Sequence, residues 1–356
     1  MSYSVNEKIR DLKPYDPIEG SYRIRLDANE SFQTLPPEIL EKLRSAASSV
    51  ALNRYPDPLA GEVCRAFADY YGISPENVAA GDGSDELISL LEEAFLMRGE
   101  TILTLSPDFS MYRFYSGIAE ANCVDFKKDS DFSINVDELI RTAKQTKARI
   151  ILFSNPCNPT SVGLYREDVR RLIRSVDALV VLDEAYMDFW NQSLLQEVNE
   201  YDNLIILRTC SKAVGLAAVR LGFAVANTTL IRLLKAVKSP YNVNSVTQKI
   251  GAAVLREKDW LQMCTEKMVD SKNALYQGLK QVEADFPERI HAIDGVTNFV
   301  TVLMADSKAI YRKLLAQGIA VRCFSGFLRI TAGSQSENAE VLKALRLALR
   351  ETEAAK

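Results

Sequence analysis

Apolar positions along the chain follow two different periods, and the two alternate. Over residues 37–48, 62–71, 85–97 and 166–176 they recur every three or four residues, the spacing of a helix with one buried face. Between these stretches, short runs rich in Val, Ile, Leu and Phe occupy 101–105, 123–126, 149–153, 179–182, 204–207 and 223–226. Most of these runs are apolar at consecutive positions, as in strands covered on both faces. The interleaving predicts an α/β unit with a largely parallel sheet. Residues 1–35 carry Pro14 and Pro17 and show no period, so they read as an irregular arm that enters the 37–48 helix through Pro36 and Pro37. A smaller α+β unit begins near Pro240. It holds one or two long helices over 245–284, with Trp260, Met263 and Met268 in helical register, then strands at 298–303, 319–321 and 328–331 and helices at 308–316 and 338–349.

Two units suit the length, since 356 residues exceed what a single hydrophobic core usually fills. A chain with 47% hydrophobic and 25% charged residues is not a disordered one. A net charge of −4 leaves no basic excess for a nucleic-acid surface. The longest apolar runs, such as Ala178 to Leu182, are too short to cross a bilayer, and the opening MSYSVNEKIR lacks the apolar stretch of a signal peptide. Cys64, Cys123, Cys157, Cys210, Cys264 and Cys323 are scattered, with no C-x-x-C pair; they read as buried thiols of a cytoplasmic protein. His291 is the single histidine and reads as a structural or exposed residue. A multi-His zinc site is thereby excluded, no metal is expected, and acid–base chemistry falls first to Lys and Tyr.

Open α/β sheets bind ligands beyond the carboxyl ends of their strands. Three successive strands end in polar clusters: Ser154-Asn155-Pro156-Cys157-Asn158-Pro159-Thr160, then Asp183-Glu184-Ala185-Tyr186, then Arg208-Thr209-Cys210-Ser211-Lys212. Each alone is unremarkable; a strand-end Asp caps a helix more often than not. Their recurrence at one sheet edge is the signal. A fourth cluster, Gly81-Asp82-Gly83-Ser84-Asp85-Glu86, opens the 85–97 helix. It is either a phosphate site at a helix N-terminus or a turn capped by Asp82 or Ser84. It lacks the third Gly of a dinucleotide fingerprint, and no G-K-[ST] follows. A lysine for a Schiff base, a buried Asp for a pyridinium nitrogen, and a helix N-terminus with Ser and Arg for a phosphate together suit pyridoxal phosphate.

With those residues in view, the chain resembles the fold-type-I pyridoxal-phosphate aminotransferases, and within them the histidinol-phosphate aminotransferase family. The resemblance runs nearly end to end through PYDP (14–17), LDANES (26–31), RYPDP (54–58), GDGSDELI (81–88), PDFSMY (107–112), NPCNPT (155–160), DEAYMDF (183–189), RTCSKAVGLAAVRLGF (208–223), PYNVNSVTQ (240–248), GIAVR (318–322) and LRITAGSQSEN (328–338). It implies a three-layer α/β/α large domain over 36–244 with a mostly parallel sheet, a smaller α+β domain over 245–356, and an arm over 1–35 packing with the small domain. It implies amino transfer between histidinol phosphate and 2-oxoglutarate. By the same resemblance, Lys212 is the Schiff-base lysine and Asp183 the partner of the ring nitrogen, while Asn158 and Tyr186 meet the ring hydroxyl. Gly83, Ser84 and Asp85, with Ser211 and Arg220, cradle the phosphate, and Phe109 stacks on the ring. Tyr55 reaches the phosphate of a neighbouring subunit, which implies a homodimer with shared sites. Tyr15, Arg322 and Arg329 hold the anionic group of the substrate.

The chain departs from the family pattern in three places. N-P-T-G reads Asn158-Pro159-Thr160-Ser161, N-E-N-P reads Asn29-Glu30-Ser31-Phe32, and only CFSGFL separates Arg322 from Arg329. The alternatives on the same frame are a threonine-phosphate decarboxylase and a broad or aromatic amino-acid aminotransferase. Outside it stand a non-catalytic pyridoxal-phosphate-binding regulatory domain and a Rossmann dehydrogenase.

Overall fold

The computed structural model describes residues 3–14 and 18–353. Its helices are α1 (Glu7–Arg10), α2 (Pro37–Ser48), α3 (Gly61–Tyr71), α4 (Gly83–Phe95), α5 (Met111–Ile118), α6 (Val136–Gln145), α7 (Arg166–Ser175), α8 (Thr228–Val237), α9 (Ser245–Leu255), α10 (Lys258–Asp285), α11 (Ser307–Ala316) and α12 (Gln335–Glu353). Two sheets organise them. The larger contains β2 (Val78–Asp82), β3 (Thr101–Ser106), β4 (Asn122–Lys127), β5 (Ile150–Ser154), β6 (Leu179–Asp183), β7 (Leu204–Thr209) and β8 (Leu221–Ala226), in the order β2-β8-β7-β6-β5-β3-β4. Strand β8 runs against both of its neighbours and the remaining pairs are parallel. The central strands β5, β6 and β7 are buried almost throughout, as their unbroken apolar runs require once helices cover both faces.

The smaller sheet joins β1 (Ile24–Leu26), β9 (His291–Ala292), β10 (Phe299–Leu303), β11 (Ile319–Phe324) and β12 (Phe327–Thr331) in the order β1-β11-β12-β10-β9. Its first strand corrects the reading of residues 1–35 as irregular: Ile24 and Leu26 face the core, Arg25 faces out, and β1 pairs in parallel with β11. Three residues are too few for an alternation to register. Strand β2 also lacked a signal, because Val-Ala-Ala-Gly-Asp has one β-branched residue and no alternation. Residues 245–284 form two helices, broken at Arg256 and Glu257. On the second, Met263 is exposed, and the buried face runs instead through Leu261, Cys264, Met268, Leu275, Leu279 and Val282.

Helix α9 packs against α2 and α3. Gly251 lets α9 approach α3 and β8 closely, since a Cβ there would lie 3.0 Å from Val63 Cγ2 and 2.3 Å from Leu221 Cδ2. The long helix α10 then passes from one core to the other: Leu261 belongs with the large sheet, whereas Leu275, Leu279 and Val282 pack under the small one. All six cysteines are free thiols. His291 is exposed, with Nδ1 3.0 Å from Glu283 Oε1. Among the described residues no helix is long and apolar enough to cross a membrane, and no cluster of three His, Cys, Asp or Glu side chains offers a metal site.

Candidate active site

Strands β5, β6 and β7 are parallel neighbours, with Ser154 paired to Asp183 and Asp183 to Leu207. Their carboxyl ends therefore put the Asn158 turn, Asp183 and the Ser211-Lys212 segment on one edge. The turn after β5 is held from within. Asn155 is buried and its amide both accepts from Leu164 N (2.8 Å) and donates to the Leu164 carbonyl (3.1 Å). Asn158 N donates to Ser154 Oγ at 3.1 Å, and its side-chain oxygen accepts from Arg329 Nη1. Ser161, where the family pattern has Gly, takes a left-handed conformation with φ +65°. Its hydroxyl meets Thr297 Oγ1 at 2.6 Å, and Thr301 Oγ1 donates to the Pro159 carbonyl at 2.7 Å, so the turn is fastened to the smaller sheet. A Cβ on Gly295 would sit 1.9 Å from Ser161 Oγ; the glycine makes room for the serine.

Lys212 lies half-buried at the floor of this edge. Its Nζ donates to the Ala28 carbonyl at 2.9 Å and stands 5.9 Å from the centre of the Tyr186 ring. Burial, then the positive charges of Arg329 and Arg220, bring its pKa down to about 8, against the opposing pull of Glu30 and Asp183. Asp183 is 4% exposed, and burial pushes its carboxyl up to about 6. Two donors oppose that rise: Tyr112 Oη at 2.9 Å on Oδ2 and Ala185 N at 3.0 Å on Oδ1. The Tyr186 hydroxyl, pushed up to about 12 by burial, accepts from Asn29 Nδ2 at 2.8 Å. Asn29 is itself fixed by Thr331 Oγ1, which donates to its Oδ1 at 2.9 Å.

The N-terminus of α4 lies against Arg220. Asp82 occupies the N-cap position and its side chain makes no cap; instead Glu86 Oε2 reaches back and accepts from Asp82 N at 2.6 Å. A helix start of this kind leaves backbone N–H groups pointing outward. Gly83 has φ +77°, and a Cβ on it would lie 2.7 Å from Arg220 Nη2. A Cβ on Gly222 of β8 would lie 2.3 Å from Ser84 N. Arg220 Nη1 donates to Ser211 Oγ at 3.2 Å, and the Asp85 carboxylate turns to the Tyr115 hydroxyl at 2.7 Å. Backbone N–H groups, a serine hydroxyl and a guanidinium around a glycine-lined space fit a phosphate. Together with the amine and the buried carboxylate, they fit pyridoxal phosphate.

Phe109, in the turn after β3, is half-buried and meets Tyr112 edge to face, with ring centres 5.6 Å apart. Arg322 and Arg329 are direct cross-strand partners on β11 and β12. Arg329 is 7% exposed; besides Asn158 it reaches the Asp27 carbonyl, and its guanidinium lies 5.4 Å from the centre of the Phe299 ring. Arg322 is half-buried. Tyr55 stands apart on the surface, 82% exposed and stacked on Tyr241 at 4.8 Å. Tyr15 lies outside the described residues. Residues that sequence reasoning did not single out are Tyr112, Ala28 and Asn29, although the PDFSMY and LDANES motifs contain them.

The chain belongs to the family of class I and II aminotransferases: the sequence profile of the family Aminotransferase class I and II matches residues 23–345. It is similar to the histidinol-phosphate aminotransferase of Clostridium novyi (strain NT), with 41% identity over 95% of both chains. To that of Clostridium kluyveri (strain ATCC 8527) it is 39% identical, over 97% of this chain and 98% of the relative. Among solved structures, histidinol-phosphate aminotransferase from Sinorhizobium meliloti in complex with pyridoxal-5'-phosphate superposes with a TM-score of 0.87 over 99% of each chain, at 23% identity, and so shares the fold.

Proposed function

We propose that the protein is a pyridoxal-phosphate-dependent aminotransferase that moves an amino group between histidinol phosphate and 2-oxoglutarate, giving imidazole acetol phosphate and glutamate in a ping-pong cycle, as a cytoplasmic homodimer. The observation that carries the chemistry is Lys212, an amine with its pKa brought down to about 8, set between a buried carboxylate and an open phosphate cradle. The substrate is that of the curated relatives, whose identity with this chain extends over nearly their whole length.

When bound, pyridoxal phosphate supplies an aldehyde for the amine and a protonated ring that takes up the electron pair released at the substrate Cα. Lys212 carries the proton to and from that Cα, and an amine titrating near 8 is suited to both directions at neutral pH. Asp183, kept ionised by the Tyr112 hydroxyl and the Ala185 N–H, holds the ring nitrogen's proton. Asn158 and Tyr186 orient the ring hydroxyl and Phe109 covers a ring face. Gly83, Ser84 and Asp85 hold the phosphate through their N–H groups, with Ser211 and Arg220. Arg329, with Arg322 and Tyr15, holds the anionic end of either substrate, because a guanidinium fork suits phosphate and carboxylate alike. Tyr55 reaches the phosphate of a second copy, a role that its 82% exposure in the single chain leaves open to it. The large domain spans 36–244 and the small domain 245–356, with α10 reaching from the core around Leu261 to the core around Leu275.

The test is to incubate the purified protein with pyridoxal phosphate, histidinol phosphate and 2-oxoglutarate. Glutamate should appear in step with the loss of histidinol phosphate. Turnover of aromatic amino acids without histidinol phosphate, or release of carbon dioxide from threonine phosphate, overturns the substrate.

A further inference from the structure

Beneath this cleft lies a buried ion pair to which the reaction as described gives no part. Lys128 follows β4 and Asp108 lies just beyond β3; their side chains are 1% and 2% exposed, with Nζ 3.7 Å from Oδ2. Lys128 also donates to the Pro107 carbonyl at 2.9 Å and to the Cys157 sulfur at 2.8 Å. Asp108 collects donors on both oxygens: Oδ1 accepts from Phe109 N (2.8 Å) and from the Ser154 hydroxyl, and Oδ2 accepts from Ser154 N (3.3 Å). Ser154 Oγ in turn accepts from Asn158 N. One carboxylate thus ties together the two turns that carry Phe109 and Asn158.

Stability alone does not account for such a pair, because apolar side chains of equal volume generally stabilise a core as well or better. What it adds is direction. A carboxylate offers acceptors on both oxygens, whereas an amide at position 108 has only one and turns its NH2 toward groups that are themselves donors. The charge of Lys128 favours the ionised form that this arrangement needs, against the cost of burial.

We propose that Asp108 and Lys128 are positioning residues of the amino-transfer site: they fix Phe109 and Asn158 relative to each other and so set the slot in which the cofactor ring lies. This rests on the reading of the cleft as a pyridoxal-phosphate site. The pair touches neither substrate nor cofactor, and its effect passes through Phe109 and, by way of Ser154, through Asn158.

The experiment compares wild type with Lys128→Met, Asp108→Asn, the double variant and Ser154→Ala. It measures the melting temperature of each apoprotein, its dissociation constant for pyridoxal phosphate, and the visible circular dichroism of the bound cofactor, which reports how the ring is held. Lys128→Met should melt lowest, because it leaves a buried charge unpaired, and the double variant should recover most of that loss. The double variant should still bind pyridoxal phosphate about tenfold or more weakly, the scale of one lost charge-assisted contact, with an altered dichroic band. Ser154→Ala breaks the link to Asn158 without touching either charge and should alter the band in the same sense. It keeps the test open even if the charge variants do not fold. A wild type that binds pyridoxal phosphate, with folded variants matching it in affinity and dichroism, overturns the positioning role alone. A wild type that takes up no pyridoxal phosphate overturns the reading of the cleft and this proposal with it.

Discussion

Tyr112 on α5 and Asp183 at the end of β6 share a hydrogen bond of 2.9 Å, with the tyrosine wholly out of water. Burial holds the Tyr112 hydroxyl well above its usual range, so it remains a donor at any working pH. Its effect on Asp183 is to hold down a pKa that burial raises, the net value being about 6. In the proposed role Asp183 works as a carboxylate, so activity should fall as pH drops through its pKa. Tyr112→Phe keeps the shape and removes the opposing donor, which moves the pKa further up. The acid limb of the kcat/KM profile should shift to higher pH by about one to two units, the equivalent of ~1.5–3 kcal/mol for a hydrogen bond to a charged group. An acid limb that stays in place would show that the hydrogen bond does not tune Asp183.

Asp183→Asn tests the carboxylate itself. An amide retains the volume and one acceptor, for either Tyr112 or Ala185 N, and carries no charge for a protonated ring nitrogen. Removing one member of a buried charge pair costs about 3–5 kcal/mol, which is a loss of roughly 10²–10³-fold or more in rate if expressed at the transition state. The variant should fold with wild-type circular dichroism in the far ultraviolet. A rate within twofold of wild type would reduce Asp183 to a structural residue of the strand end.

Gly222→Ala probes the phosphate cradle from behind. The new methyl would lie 2.3 Å from Ser84 N and 2.4 Å from the Gly83 carbonyl carbon, so β8 and the start of α4 must separate. Overpacking of this kind costs about 1–3 kcal/mol. The melting temperature should therefore drop, and the affinity for pyridoxal phosphate should fall by more than that for a phosphate-free analogue such as pyridoxal. Equal losses for both ligands would separate the cradle from phosphate binding.

Much of this arrangement is legible in the sequence, and most of the rest depends on contacts between residues far apart along the chain. The helix over 37–48 and the strands β5, β6 and β7 are strongly patterned, and each agrees with its observed range to within one or two residues. The rule that ligands gather beyond parallel strands brought Asn158, Asp183, Ser211 and Lys212 to one edge, where β5, β6 and β7 do place them. Ala28 and Asn29 carry no site role in the sequence reading because their partners, Lys212, Tyr186 and Thr331, are 157 to 302 residues away in sequence. Tyr112 sits on a short helix with no polar signal of its own, and only the docking of α5 on the sheet aims it at Asp183. Met263 misled for a simpler reason: on a long helix, one step from 263 to 264 separates an exposed side chain from a buried one, and periodicity alone did not choose between them.

Arg329, proposed above to hold the anionic group of the substrate, also acts on the Lys212 amine. Its guanidinium is held by the Asn158 side chain and the Asp27 carbonyl, and lies against the rings of Phe299 and Phe324. Directly across the β11–β12 pair stands Arg322, so two cations share one face of the small sheet. After burial, Arg329 is the largest contributor to the lowered pKa of Lys212. Arg329→Met, which keeps an unbranched apolar stem of similar length, should therefore do two things at once. The KM for histidinol phosphate and the KM for 2-oxoglutarate should both rise, because one anion site serves both halves of the cycle. A lost charge-assisted contact of ~1.5–3 kcal/mol corresponds to a rise of roughly 10- to 150-fold. In the apoprotein, the Lys212 amine should titrate above its wild-type value of about 8, since a repelling positive charge is gone. The pH dependence of its labelling by an amine-specific reagent reads that shift directly, independently of turnover. A rise in only one KM would mean that the two substrates are anchored by different groups. An unmoved Lys212 titration, with both KM values raised, would confine Arg329 to substrate binding and leave the tuning of the amine to burial and Arg220.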